Sequence, residues 1–208
     1  SDEDMAKYAL TYYMAQDKSG LDVDNDSLIR IAYDWYEGHQ EDSLYVLCLN
    51  YMGKFYLLVD SMEQAKSCLE KAYFISDSLH EMNVKLLVLD KLIEVEEQLE
   101  PYKALRYAKD LVKMYDSMAN VTIYNKVAAR LRLGENFFYV DSLQHALEEE
   151  RKAYRMAMKA GDSNLLSYVR QNLASTFEEM GEKDSCLYYA RQAYDLTAAN
   201  RFSCLLTL

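Results

Sequence analysis

Apolar residues along this chain recur at i, i+4 and i+7, and short polar breaks divide the pattern into about ten segments. That spacing predicts amphipathic helices, because residues three and four apart share one helix face. Predicted helices cover about residues 42–58, 61–76, 82–97, 101–116, 121–138, 142–159, 163–179 and 183–198. In every second one, small and large apolar residues follow the same order: Ala65/Leu69/Ala72, Ala104/Ala108/Leu111, Ala146/Glu150/Ala153 and Cys186/Ala190/Ala193. Small side chains at those places let two helices approach closely. One position breaks the rule. Glu150 puts a carboxylate where a core residue is expected, which implies either a slightly rotated helix or a site open to water.

The pattern also repeats as sequence. The segment from Met52 to Ala65 matches the segment from Leu133 to Ala146, eighty-one residues later, sharing Gly53/Gly134, Val59/Val140, the Asp-Ser steps at 60–61 and 141–142, and the closing alanine. Anchored on Ala65, Ala104, Ala146 and Cys186, the copies are spaced 39, 42 and 40 residues apart. A period near forty with helical texture means stacked helix pairs, each burying its apolar face on its neighbours. The pairs occupy 42–80, 81–119, 120–161 and 162–199. Residues 1–41 predict a capping hairpin, with one stripe of Met5, Tyr8, Ala9, Tyr12 and Tyr13 and another of Leu28, Ile31, Ala32 and Trp35. Residues 200–208 predict the start of a further, truncated helix, and Cys204–Leu208 an apolar end face.

Helix boundaries carry their own signals. Asp-Ser stands at 42–43, 60–61, 141–142, 162–163 and 184–185, where a side-chain oxygen can accept from unpaired first-turn N–H groups. Pro101 takes a first helical position, where its missing N–H costs nothing. Gly161 followed by Asp162 reads as a helix stop and a new start.

Composition agrees with an all-α fold. One proline and six glycines are too few for the turns of a β-sandwich of this size, while nineteen tyrosines supply packing wedges. The formal charge of −11 argues against nucleic acid or anionic lipid as the main ligand, and no apolar run reaches the roughly 20 residues of a bilayer span. Cys48, Cys68, Cys186 and Cys204 have no C-x-x-C spacing and read as free thiols, although Cys48 and Cys68 could approach each other within one hairpin. Asp22-x-Asp24-x-Asp26 begins like a calcium loop, but Ser27 and Tyr33 stand where the loop needs glycine and a bidentate glutamate. His39, His80 and His145 share no ligand spacing, and no phosphate loop or nucleophile elbow occurs. Neither an enzyme nor a cofactor is expected.

The spacing of Gly53, Tyr56, Ala65, Leu69 and Ala72, of Gly134, Phe137, Ala146 and Ala153, and of Leu173, Ala174, Phe177, Gly181, Ala190 and Ala193 resembles the tetratricopeptide repeat (TPR) over about residues 42–199. Leu92 and Leu99 depart from its small-residue and loop-glycine positions. The start of the chain is similar to TPR proteins of Bacteroides-type bacteria, which implies a larger envelope or regulatory protein, with a cytoplasmic location as the alternative. The resemblance implies a right-handed α-solenoid of about five antiparallel hairpins that binds a protein or peptide on its concave face. A structural spacer or oligomerisation module, joined through end faces, is the alternative. Inner positions carried over from the family are Asn50, Lys54, Leu57, Leu89, Ile93, Glu96, Glu97, Leu131, Glu135, Phe138, Tyr168, Gln171 and Glu178. These carboxylates around an apolar floor predict a partner with basic and apolar character, and no contact of this segment with nucleic acid or membrane.

Overall fold

The computed structural model describes residues 1–21, 26–38 and 43–206, with side chains through residue 196. Among the described residues the regular structure is entirely helical: α1 (Asp2–Lys18), α2 (Ser27–Glu37), α3 (Ser43–Leu58), α4 (Met62–Ser78), α5 (Met82–Leu99), α6 (Pro101–Ser117), α7 (Ile123–Tyr139), α8 (Leu143–Ala160), α9 (Ser163–Glu179) and α10 (Lys183–Leu206). The Asp22-x-Asp24-x-Asp26 run, the Asp42 helix start, His39 and the Cys204–Leu208 end face lie wholly or partly outside the described residues. Helix α10 runs through residue 200, where a new helix was expected to begin.

Two compact units divide the chain inside α6: Ser1–Tyr107 and Ala108–Leu208. In the first unit α1 pairs with α2 and α3 with α4, and α3 also reaches α5. In the second, α7 pairs with α8 and α9 with α10, and α7 reaches α9. Thus α3 and α7 each touch their own partner and the first helix of the next pair. That is the packing a forty-residue helical repeat requires, since one amphipathic pair cannot bury both its apolar faces alone.

The small-residue stripe sits at these contacts. Ala65, Leu69, Ala72, Ala104, Ala108, Ala146 and Ala153 are all fully buried, whereas Ala190 in the last helix is exposed. The capping hairpin is rotated from its sequence reading. Helix α1 buries Ala6, Ala9, Leu10 and Tyr13, leaving Met5, Tyr8 and Tyr12 exposed, and α2 buries Ile29, Ala32 and Tyr36 rather than Ile31. A terminal pair has apolar residues on more than one face, and only tertiary contact selects which of them turns inward.

The Asp-Ser steps do two different jobs. Asp162 caps α9 as expected, accepting from the Leu165 N–H at 3.0 Å. Asp60 and Asp141 instead adopt left-handed backbone, φ 55° and 57°, just past α3 and α7, as Gly181 does past α9 at 75°. The next residue then donates back into the helix: Ser61 N–H to Tyr56 C=O at 2.8 Å, and Ser142 N–H to Phe137 C=O and Glu182 N–H to Phe177 C=O, both at 2.9 Å. Here aspartate closes the preceding helix rather than opening the next. Short polar side chains tolerate that conformation better than other non-glycine residues. Pro101 opens α6 as its sequence position implied.

Candidate functional site

The residues carried over to a concave face scatter between surface and core. Leu89 and Ile93 are completely buried, Leu131 retains 2% exposure and Asn50 6%. They form the apolar interior, because each first helix is gripped by two neighbours and its inner residues pack between them. Glu96 is also fully buried, with Lys103 Nζ 2.6 Å from Oε1 and Lys66 Nζ 3.3 Å from Oε2. The Lys103 contact is ionic and poorly aligned for a hydrogen bond. Burial opposes the Lys103 charge, but bonds to Glu70 and Glu96 raise its pKa above the ordinary lysine value. Glu96 is therefore a structural ion rather than a groove carboxylate. Glu97 is half-buried, while Tyr168, Gln171 and Glu178 are exposed on α9.

Two small concavities, one in each unit, take in Lys54 and Leu57 and, separately, Glu135 and Phe138. In the first, Lys54, Leu57 and Leu58 of α3 and Met62 of α4 face Lys91, Glu94 and Gln98 of α5 around about 200 Å³. Its charges are engaged within the unit: Lys54 with Asp17, and Lys91 with Glu94 at 2.8 Å. In the second, Glu135, Phe138 and Tyr139 of α7, Glu150 of α8, and Asn172, Ser175 and Thr176 of α9 enclose about 210 Å³. The two are sequence equivalents. Shifted by eighty-one residues, Lys54, Leu57, Leu58, Lys91 and Glu94 become Glu135, Phe138, Tyr139, Asn172 and Ser175.

Glu150 is the unusual member of the second site. It stays in register on α8, between fully buried Ala146 and Ala153, and is only 2% exposed, so the helix has not rotated to release it. Its Oε1 accepts a hydrogen bond from Thr176 Oγ1 at 2.7 Å, whereas Oε2 is buried without a hydrogen-bond partner. Burial pushes the Glu150 carboxyl up to about 7; the Thr176 bond opposes this shift and the Glu135 charge adds to it. Glu135 also raises the Tyr168 hydroxyl, chiefly through its charge. Arg132 approaches Glu135 at 3.8 Å. The adjacent Glu149 differs completely: Arg130 donates to it at 2.9 Å and Lys152 at 2.5 Å.

The sequence marked Glu150 as a departure without assigning it to a site. The missed signal was a coupled one. Leu69 and Val95, buried in one apolar cluster, become Glu150 and Thr176 in the copy eighty-one residues later. A carboxylate thus arrives together with a hydroxyl that can bond it. Cys48, Cys68 and Cys186 are free thiols, and among the described residues no three His, Cys, Asp or Glu side chains gather as for a metal ion.

The fold is all-α and TPR-like. The structure aligns with a Podosopora anserina protein of kinesin-light-chain type, built from nearly identical TPR-like repeats, at a TM-score of 0.79 and 12% identity, covering 93% of this chain and 95% of that one. BtubC (BKLC) from P. vanneervenii aligns at 0.71 and 17% identity, covering 97% and 90%, and MamA at 0.66 and 16%, covering 91% and 96%. No family model and no curated protein sequence matches the chain. The solved structures share its helix-pair architecture at identities that carry the fold alone.

Proposed function

We propose that this chain is a protein- or peptide-binding module, the recognition part of a larger envelope or regulatory protein. The observation that carries this reading is the concavity of the second unit. It sets Phe138 and Tyr139 beside Glu135 and Glu150, the apolar-plus-acidic lining that suits a partner segment with basic and apolar side chains. The TPR-like fold supports it, since stacked helix pairs present an extended surface for binding. Of the residues first assigned to the groove, Leu57, Glu97, Glu135, Phe138, Tyr168, Gln171 and Glu178 keep exposed or half-buried surface, while Lys54 is tied to Asp17. Leu89, Ile93, Glu96 and Leu131 support them from inside.

A peptide array probed with the full chain tests the reading. Segments carrying Lys or Arg beside aliphatic or aromatic residues are expected to bind, and to bind more weakly as salt rises, because exposed charges are screened over about 10 Å at 0.1 M. Glu135→Gln with Phe138→Ala should reduce binding without altering the helical circular dichroism. An array returning mainly acidic segments, or the same binding by the double variant, overturns it.

The second reading, a structural or oligomerisation module, draws on the outer face of α10. Leu187, Tyr188 and Tyr194 there are 67%, 57% and 73% exposed. Sedimentation over a wide concentration range separates the two: self-association abolished by Leu187→Glu and Tyr194→Glu favours the oligomerisation module.

A further inference from the structure

We propose that the cavity between α7, α8 and α9 is a receptor for the ammonium end of a lysine side chain on the partner segment, with Glu150 as its counter-charge. The proposal rests on the protein-binding reading and names the group recognised. Three glutamates are buried among the described residues: Glu96, Glu149 and Glu150. The first two show what this fold does with a buried carboxylate. Glu96 lies between Lys66 and Lys103 at 3.3 and 2.6 Å, and Glu149 between Arg130 and Lys152 at 2.9 and 2.5 Å. Glu150 has a hydroxyl on one oxygen and no hydrogen-bond partner on the other, and it lines the cavity of about 210 Å³. Burying a carboxylate without a cation is costly and pushes Glu150 towards its neutral form, a cost that a cation from outside would relieve.

The geometry selects the kind of cation. Thr176 occupies Oε1, so a donor entering the cavity would meet Oε2, which is shielded from solvent until the side chain shifts. A guanidinium binds carboxylates best through two parallel bonds, which one free oxygen cannot provide, whereas an ammonium is a compact point charge with three independent donors. Phe138 and Tyr139 supply apolar wall for the methylene stem, and the roughly 210 Å³ of the cavity accommodates a single extended side chain. The charged or titratable groups facing Glu150 are Glu135 and Tyr139 from α7, with Arg132 held at 3.8 Å from Glu135; α9 presents the neutral Asn172, Ser175 and Thr176. A bound ammonium stabilises the ionised form of Glu150, so capture at neutral pH releases a proton from that carboxyl.

The full chain, carrying 13C-labelled glutamate carboxyl groups, provides the test. The Glu150 resonance, identified by its absence in Glu150→Gln, is followed against pH alone and with three probes: acetyl-Leu-Lys-Leu-Phe-amide, the same peptide with its lysine acetylated, and butylamine. The lysine peptide should lower the Glu150 midpoint, and the acetylated peptide should leave it unchanged. Butylamine should act only at concentrations on the order of tenfold or more higher, because it lacks the flanking apolar contacts. Glu150→Gln, which preserves the side-chain shape, should bind the lysine peptide on the order of tenfold more weakly, and the folded state of the variant is checked by its thermal transition. Equal binding of the acetylated peptide, or a midpoint that no probe moves, overturns the proposal, the second outcome meaning that water alone satisfies Glu150. Butylamine as potent as the peptide overturns the partner side chain as the source. Array segments that bind wild type and Glu150→Gln alike remove the lysine receptor while leaving the protein-binding reading intact.

Discussion

The α3–α4 crossing and the α7–α8 crossing are two copies of one structural sentence, and they use it in opposite ways. In the first, Gly53 lets α3 approach Leu69 so closely that a Cβ built on the glycine would lie 2.6 Å from Leu69 Cγ. Val95 of α5 lies in the same apolar cluster, so that crossing is filled by apolar side chains. In the second, Gly134 faces Glu150, where a Cβ would meet Glu150 Cγ at 3.2 Å, and Thr176 replaces the valine. The backbone plan is retained while the side chains exchange a hydrophobic contact for a hydrogen-bonded carboxylate beside a cavity. Such an exchange should cost stability at that crossing, because a carboxylate is harder to bury than an aliphatic side chain.

The largest test transfers the polar group to the apolar copy. Leu69→Glu would bury a carboxylate with neither a hydroxyl nor a cation placed for it, and should cost roughly 3–5 kcal/mol in urea unfolding at pH 8. The reverse exchange, Glu150→Leu with Thr176→Val, should be neutral or stabilising, because apolar residues of similar volume often improve on buried polar ones. A cost below about 1 kcal/mol for Leu69→Glu would show that the two crossings are not distinguished by their polarity.

Next in size is the pH dependence. The folded Glu150 carboxyl titrates about 7 against an ordinary value of 4.5, so the native state holds its proton more tightly than the unfolded chain. Its contribution is complete below pH 4.5 and is lost as pH rises through 7, amounting to about 3 kcal/mol. Unfolding midpoints of the wild type relative to Glu150→Gln should therefore fall between pH 5 and pH 8. Parallel curves for the two proteins would mean that Glu150 is not the group responsible.

The smallest effect compares the glycines themselves. Gly53→Ala should destabilise by about 1–2 kcal/mol, since the Leu69 branch point cannot yield easily in a filled core. Gly134→Ala should lie within about 1 kcal/mol of neutral, because the 3.2 Å approach is to a side-chain carbon beside open space and alanine improves helix propensity. Equal losses at both positions would remove the distinction between a filled crossing and one beside a cavity.

Much of the fold was legible because its causes are local and periodic. Apolar residues at helical spacing, Pro101 at a first helical position, Gly161 followed by Asp162, and the forty-residue period each act through neighbouring backbone or repeat geometry, and the helices from α3 to α9 begin and end within a few residues of their predicted places, whereas α10 runs on to Leu206. Legibility failed where one residue type serves two ends. Asp60 and Asp141 look like helix starts but close helices, because the same short side chain suits both a cap and a left-handed turn. It failed again in the capping hairpin, where several apolar stripes compete and local pattern cannot choose between them.

The candidate site divides along the same line. By itself the sequence determined the all-α repeat architecture, the acidic character, and the presence of one carboxylate at a core position. Only the tertiary structure decided which acids are available. Glu96 is enclosed by Lys66 and Lys103, Glu149 by Arg130 and Lys152, and Glu150 is left facing a cavity with one oxygen unmatched. The physical reason is that periodicity sets which face of a helix a residue occupies, whereas Arg130 for Glu149 and Lys66 for Glu96 come from other helices, 19 and 30 residues away, and are assigned only when the helices pack.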